Sequence, residues 1–262
     1  PEYVNELTKL QSNAPPMGWN FVRRRMKSEL GEDWNELFTY FDKEPFAAAS
    51  LGQVHKATYK NKNIVCKLQY PDMLSTVEAD INQLKLIFSI YKRIDKSIDT
   101  TEIQKEISSR VREELDYRRE RKHIELFNFI LKNQKNVHIP KVFQEISSER
   151  LLCMNFLKGK KLLEFKKSSA EIRKTIAINM FKAWYFPFYK YGIIHGDPHL
   201  GNYSVNKDFD INLLDFGCIR IFKPSFVKGV IDLYYAILNN NEDLAVSAYE
   251  SWGFEHISRK LI

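Results

Sequence analysis

Ten residues in the second half of the chain, Ile193-Ile194-His195-Gly196-Asp197-Pro198-His199-Leu200-Gly201-Asn202, constrain it more than any other stretch. Asn202 comes five residues after Asp197, and Asp215-Phe216-Gly217 begins thirteen residues later, beyond a segment that reads as two short strands and a turn. Asp197 is placed to orient or deprotonate an attacking hydroxyl, and Asn202 and Asp215 offer the hard oxygen ligands that suit Mg²⁺. Gly, Pro, Asp and Asn are also ordinary turn residues, so either half alone reads as a polar turn with a cap. Both halves, in this order and at this spacing, point to phosphate chemistry, in which a divalent cation neutralises charge as the phosphoryl group moves.

With 262 residues, the chain has room for one large domain or two small lobes. Its 44% hydrophobic and 28% charged residues, without low-complexity tracts, are those of a soluble globular protein. No apolar run approaches the ~20 residues that span a bilayer. The richest, Ala177 to Ile194, is broken by Lys182, Pro187, Lys190 and Gly192, and reads as a buried helix followed by a strand. No secretory leader is expected, and Pro1 in place of Met is what a fragment would show. Cys66, Cys153 and Cys218 lack metal-ligand spacing and are expected to be three buried free thiols in a reducing compartment. A net charge of +7, clustered at Arg23-Arg24-Arg25, at Lys158, Lys160 and Lys161, and at Lys166-Lys167, suits nucleotide phosphates, anionic lipid or nucleic acid, although such an excess is usually a solvated face. No helix joins regular basic spacing to stacking aromatics, so nucleic acid is not an expected partner.

Residues 1–44 read as a helical packing extension, from the helical spacing of Tyr3, Leu7 and Leu10, a second helix Phe21 to Leu30, and a short third over Trp34, Leu37 and Phe38. From Pro45 the pattern turns to strands, Val54 to Tyr59 and Ile64 to Leu68, joined by a turn Lys60-Asn61-Lys62-Asn63. Ahead of them lies Ala47-Ala48-Ala49-Ser50-Leu51-Gly52-Gln53, small residues that let backbone N–H groups approach phosphates, although three alanines equally suit a short helix. Lys67 stands mid-strand among apolar residues, an expensive place for an ammonium without a partner. The loop before it and the carboxylate-rich helix after it favour a functional role over a snorkelling edge lysine.

Leu74, Val77, Ile81, Leu84, Phe88 and Tyr91 form a helical stripe, and another helix is expected from about Thr101 to Leu131. It carries Glu113, Glu114, Asp116 and Glu120; Asp116 and Glu120 share a face, and the carboxylates cannot all reach Lys67. Pairing with neighbouring arginines is the alternative for them. Strands are expected over Val142 to Ile146 and Leu151 to Phe156, and a hinge at Leu157-Lys158-Gly159, where Met154, Asn155 and Leu157 could read an adenine edge by position. A helix Ala170 to Tyr191 with the core stripe Ile172, Ile176, Met180 and Trp184 follows. Ile219 and Ile221 suggest a strand, and two helices close the chain, the first around Val230, Leu233, Tyr234 and Leu238.

Taken together, these segments resemble the UbiB/AarF-type atypical kinases over essentially the whole chain. Ala47 to His55 matches that family's alanine-rich loop, Lys67 its nucleotide-contacting lysine, and Gln69-Tyr70-Pro71 the residues that follow it. Glu114-Leu115-Asp116 matches the family's Glu-x-Asp motif and Glu120 the helix glutamate that pairs with the lysine; Asp197 and Asn202 fall on the catalytic-loop positions and Asp215 on the metal-binding aspartate. The resemblance implies an α+β, bilobal protein-kinase-like fold with a helical N-terminal extension, ATP and Mg²⁺ as cofactors, and support of ubiquinone biosynthesis. The unbroken His-Gly-Asp-Pro-His loop leans towards a bacterial member. Two departures stand out. The family's Lys-x-Gly-Gln motif is read as absent, since Thr8-Lys9-Leu10-Gln11 lacks the glycine, and no Ala-Pro-Glu segment follows Gly217 to seat a peptide.

The expected organisation is thus an extension at 1–44, a small lobe at 45–157 and a helical large lobe at 158–262, with ATP and Mg²⁺ between the lobes. Lys67 would hold the α/β-phosphates, Glu120 would position Lys67, Asn202 and Asp215 would hold metal, and Asp197 would orient the nucleophile. Partners would be quinone precursors, membrane lipid and biosynthetic enzymes, in the cytoplasm at the inner membrane or, in a eukaryote, in the mitochondrial matrix. The alternatives are a small-molecule phosphotransferase, because His-Gly-Asp with His199 and Asn202 also resembles aminoglycoside and choline kinase loops, and a nucleotide-gated scaffold with negligible turnover.

Overall fold

The computed structural model describes residues 16–49, 51–94, 100–255 and 257. In chain order the strands are β1 (Tyr40–Phe41), β2 (Ala47–Ala49), β3 (Gly52–Tyr59), β4 (Lys62–Gln69), β5 (Val137–His138), β6 (Leu151–Asn155), β7 (Lys160–Lys161), β8 (Ile193–His195), β9 (Tyr203–Val205), β10 (Ile211–Leu213) and β11 (Ile219–Ile221). The helices are α1 (Trp19–Leu30), α2 (Met73–Ile94), α3 (Thr100–Glu113), α4 (Tyr117–Ile130), α5 (Ala170–Tyr191), α6 (Pro224–Leu238) and α7 (Glu242–Ser251). They fall into two units. One holds the described chain up to Asn128, Ile139–Lys158 and Leu214–Gly217; the other holds Phe129–His138, Gly159–Leu213 and the described chain from Cys218. None of the described helices is long and apolar enough to cross a membrane.

The first unit is built on an antiparallel sheet in the order β1-β3-β4-β6, with β2 added to β3. The β3–β4 turn is the two residues Lys60-Asn61, at φ 45° and 58°, in place of the four expected. Positive φ at both positions matches the right-handed twist of the flanking strands, and Asn tolerates it well. Alternation along β4 sends Ile64, Cys66 and Leu68 to one face, where they pack with Leu151, Cys153 and Ile146 against Phe21, Val22 and Met26 of α1 and against Trp34 and Phe38. The expected appendage is therefore core, and its Tyr40 and Phe41 are a strand paired with Thr58 and Ala57. Tyr3, Leu7 and Leu10, with Thr8 to Gln11, lie outside the described residues. Cys66 and Cys153 are buried; Cys218 is only half-buried, against expectation.

Two other expectations fail. Val142 makes a single bridge to Met154, and Gln144–Ile146 winds into a 3₁₀ turn rather than continuing a strand. The Ser147 hydroxyl donates to the Phe143 carbonyl (2.7 Å) and accepts from the Cys153 N–H (3.0 Å), taking bonds that a strand would have needed. The long helix from Thr101 to Leu131 is two helices, α3 and α4. Between them the Leu115 carbonyl accepts from Gln69 Nε2 (2.8 Å) and the Tyr117 N–H donates to the Glu149 carbonyl (3.1 Å), so the sheet takes up backbone groups at the break. On α2 the buried positions of the stripe are Val77 and Ile81, packed with Leu115, while Leu74 and Tyr91 are exposed.

Two polar networks tie α1 and its approach to this sheet. Arg25, buried on α1, donates to the carbonyls of Gln69 (3.0 Å) and Tyr70 (3.1 Å) and to Glu29 (3.3 Å). Glu29 also accepts from Arg150 (3.0 Å) and from the Ser148 hydroxyl (2.6 Å). Further along, Gln53 accepts from the Met17 N–H (2.8 Å) and donates to the Met17 carbonyl (3.1 Å) and to His55 Nε2 (2.8 Å). His55 Nδ1 lies 2.8 Å from the Asp42 carbonyl, which can only accept, so the neutral imidazole carries its proton on Nδ1.

The second unit carries a four-stranded sheet, β5-β10-β9-β7, with β10 parallel to β5 and antiparallel to β9, and a β8–β11 antiparallel pair. α5 is capped by the Ser169 hydroxyl, which accepts from the Ile172 N–H (3.3 Å), and runs through Pro187 to Gly192. Gly192 sits at φ 69°, the left-handed cap that turns the chain directly into β8, where a side chain would be strained. The expected stripe Ile172, Ile176, Met180 and Trp184 is only partly right: the buried face is Ile176, Asn179, Ala183, Pro187 and Phe188.

Two measurements check these networks. Arg25→Ala strands two backbone carbonyls and the buried Glu29, and should lower unfolding free energy in urea by about 2–3 kcal/mol. Burial lowers the His55 pKa, with the Asp42 carbonyl bond opposing it. The stability from neutral His55 is therefore complete above the unfolded value of about 6.5 and lost as pH falls below it. The fall in melting temperature from pH 7.5 to pH 5 should be smaller in His55→Gln than in the unchanged chain.

Candidate functional site

In the first unit, Lys67 lies on the sheet face opposite the α1 core, since β4 alternates, and its ammonium meets two carboxylates. It donates to both oxygens of Glu120, each at 2.9 Å, and to Asp215 Oδ2 at 2.8 Å. Glu120 is 3% exposed on the first turn of α4, and Lys67 is 12% exposed. Burial works against the Lys67 charge, but Asp215 and Glu120 outweigh it and hold the pKa well above that of an ordinary lysine. Burial in turn pushes the Glu120 carboxyl up, with the ammonium opposing.

The same helix grips the Asp-Phe-Gly segment. Glu120 Oε1 accepts from the Phe216 N–H (3.4 Å), His123 Nδ1 donates to the Phe216 carbonyl (2.9 Å), and the Phe127 and Phe216 rings meet edge to face at 5.3 Å. The Gly217 N–H donates to Asp215 Oδ1 (3.0 Å) and fixes the carboxylate plane. Glu120, His123 and Phe127 are spaced by three and four, one helix face. His123 and Phe127 were missed because they only acquire meaning once Phe216 is known to lie beside α4.

Asp116, four residues before Glu120, caps α4: its Oδ1 accepts from the N–H groups of Arg118 (2.9 Å) and Arg119 (3.3 Å). An aspartate at this position satisfies donors that the helix leaves open. Glu114 is exposed in the break before it. Ala47, Ala48 and Ala49 form β2, paired with Val54, Gln53 and Gly52, so strand pairing overrides alanine's helix propensity. Ser50 lies outside the described residues. Gly52 is required by close approach, since a Cβ there would sit 2.2 Å from the Leu68 carbonyl oxygen. Gln53, read as nucleotide-facing, is fully buried and turned to Met17 and His55, a correction that follows from the two-residue alternation of β3. Met154 pairs with Val65 and so shares the Lys67 face. Asn155 exchanges hydrogen bonds with Lys141, its N–H donating to the Lys141 carbonyl (3.0 Å) and its Oδ1 accepting from the Lys141 N–H, while Leu157 is half-buried.

In the second unit, the loop after β8 is held by its own polar groups. Asp197 Oδ2 accepts from Asn202 Nδ2 (2.6 Å) and Oδ1 from the His199 N–H (3.1 Å). His199 Nδ1 accepts from the Gly201 N–H (3.2 Å), and His195, 1% exposed, accepts from the Asp197 N–H (3.4 Å). The two histidines therefore shape the loop that presents Asp197. With its amide nitrogen on Asp197, Asn202 keeps its carbonyl oxygen as an acceptor. That oxygen and the Asp215 carboxylate are the donor chemistry Mg²⁺ takes.

A strand lysine paired with a helix glutamate, an Asp-Phe-Gly aspartate and an Asp/Asn loop define a protein-kinase-like fold. Within that class the chain belongs to the ABC1 atypical kinase-like family, whose domain model matches residues 9–249. It is 31% identical over 241 residues to Protein ACTIVITY OF BC1 COMPLEX KINASE 7, chloroplastic, of Arabidopsis thaliana, covering 90% of this chain and 35% of that protein. It is 29% identical to Atypical kinase COQ8, mitochondrial, of Saccharomyces cerevisiae, covering 86% and 46% respectively. The chain thus spans about a third to a half of these curated relatives. Among solved structures, the complex of Rv3197 with erythromycin from Mycobacterium tuberculosis superposes with a TM-score of 0.78 at 27% identity, covering 98% of this chain and 66% of that one.

Because Lys67 holds two carboxylates together, its loss should be felt as their repulsion. Lys67→Met should reduce unfolding free energy by about 3 kcal/mol, and Lys67→Met/Glu120→Gln should recover a good part of it. Additive losses across that cycle, measured in urea, would show that the three groups do not act as one network.

Proposed function

We propose that this chain binds Mg-ATP and turns it over as an atypical kinase or ATPase. The observation that carries the proposal is the Lys67–Glu120–Asp215 network. An ammonium held charged by two carboxylates is poised for the α/β-phosphates, and Asp215 can exchange its lysine bond for a metal ion. Bound Mg²⁺ would neutralise charge on the transferring phosphoryl group. Glu120 positions Lys67, His123 and Phe127 hold Phe216 and hence Asp215, and Asn202 would supply an amide oxygen to the metal. Asp197, its carboxylate oriented by the His199 N–H and Asn202, orients the attacking group. Val65 and Met154 line the same sheet face as Lys67 and suit the base, with Asn155 and Leu157 beside them on the hinge. Asp116 caps α4, the helix that carries Glu120.

The relatives named for mitochondrial COQ8 support a role in ubiquinone biosynthesis. We place that role at a membrane surface, on quinone or isoprenoid precursors, in the cytoplasm or, in a eukaryote, in the mitochondrial matrix. The erythromycin complex of the mycobacterial structure favours a second reading, in which the acceptor is a soluble small molecule.

Thermal shift with ATP, ADP and GTP, each with and without Mg²⁺, tests the site, since a ligand that binds only the folded state must raise its stability. Asp215→Asn should keep the fold, lose the Mg²⁺-dependent shift, and cut nucleotide turnover on the order of a hundredfold or more. Undiminished turnover in that variant would sink the assignment. A shift without phosphate release would favour a nucleotide-gated scaffold, and erythromycin-stimulated turnover the small-molecule reading.

A further inference from the structure

Tyr117, the first residue of α4, is 1% exposed, and its hydroxyl has no hydrogen-bond partner among the described residues. A buried hydroxyl left unpaired is destabilising. Its surroundings show what it faces. The Lys67 ammonium lies 5.2 Å from the centroid of the ring. The hydroxyl lies against Gly52, the first residue of β3 and next to the turn of the β2–β3 hairpin, where an added Cβ would be only 3.0 Å away. Gly52 is thus closely packed there, with the Leu68 carbonyl and the Tyr117 hydroxyl both lying where a side chain would need room. Burial pushes its pKa up, with Lys67 and Arg25 acting to lower it and Glu120 and Asp215 to raise it.

We propose that the Tyr117 hydroxyl is a positioning and binding group for an oxyanion brought beneath the alanine-rich hairpin, a phosphate oxygen of the nucleotide next to Lys67. This rests on the Mg-ATP reading above and adds to it a neutral donor, chemically unlike the lysine, at the phosphate end of the site. A phenol donates without adding charge, so it can contact a phosphate oxygen while leaving the Lys67–Glu120–Asp215 charges in balance. The Glu120 helix and the hairpin then meet the same ligand, and binding draws them together through Gly52.

The test is Tyr117→Phe in the whole chain, with three readouts: melting temperature without nucleotide, the Kd for Mg-ATP, and the Kd for adenosine. Removing an unpaired buried hydroxyl should leave the melting temperature unchanged or raise it, while Kd for Mg-ATP rises about five- to tenfold, the effect of one lost hydrogen bond. Adenosine, which has no phosphate, should bind within about twofold of the unchanged chain. An unchanged Kd for Mg-ATP overturns the inference, as does equal weakening of ATP and adenosine, or a lowered melting temperature with unchanged binding; each describes a structural hydroxyl. No nucleotide binding by the unchanged chain overturns the Mg-ATP reading and this inference with it. Binding by the unchanged chain with no selective loss in Tyr117→Phe overturns the inference alone.

Discussion

A lysine ammonium buried among apolar strands is the constraint on which the first unit turns. Left alone it would discharge or unfold the strand around it. Glu120 and Asp215 solve the problem together, and they come from very different places in the chain, 53 and 148 residues away from Lys67. Their convergence explains the partition of the fold: Leu214–Gly217 belongs to the first unit, although its sequence neighbours on both sides belong to the second. The charge requirement of Lys67, together with the grip of His123 and Phe127 on Phe216, thus holds a four-residue segment in the first unit.

Helix α4 is the element that meets this requirement, and its start is as important as its face. Had α3 continued unbroken, Glu120 would have taken its rotation from α3. Instead Leu115 is buried against Val77 and Ile81, its carbonyl bonded to Gln69, and Asp116 begins a new helix. From that start Tyr117, Glu120, His123, Ile124 and Phe127 recur at helical spacing, and Ile124 and Phe127 are fully buried. Acidic residues that look like a row of catalytic candidates therefore divide the work. Asp116 starts the helix and Glu120 holds the lysine.

The loop around Asp197 depends on much shorter reach. Its side-chain hydrogen bonds join residues two to five apart, and the Gly196 N–H donates to the Cys218 carbonyl (2.7 Å). Gly192 turns α5 into β8 just ahead of it, and β9 and β10 close behind it. A loop that holds its own shape this way keeps the Asp197 carboxylate oriented before any ligand arrives.

The sequence by itself determined what is local. The strands on both sides of Lys67, the helix α5, the Asp197–Asn202 spacing and the two short strands before Asp215 follow from periodicity and turn chemistry, which act within a few residues. Tertiary structure decided what depends on a partner far along the chain. Ala47 to Ala49 became a strand because β3 was there to pair with them, and Gln53 turned to Met17 because β3 alternates about its register with β4. The helix from Thr101 broke because Leu115 had a core to enter, and α1 ceased to be an appendage once the sheet face of Cys66 and Leu68 received Phe21, Val22 and Met26. Propensity differences of about 1 kcal/mol or less decide such segments in isolation, and burial of a few apolar side chains outweighs them.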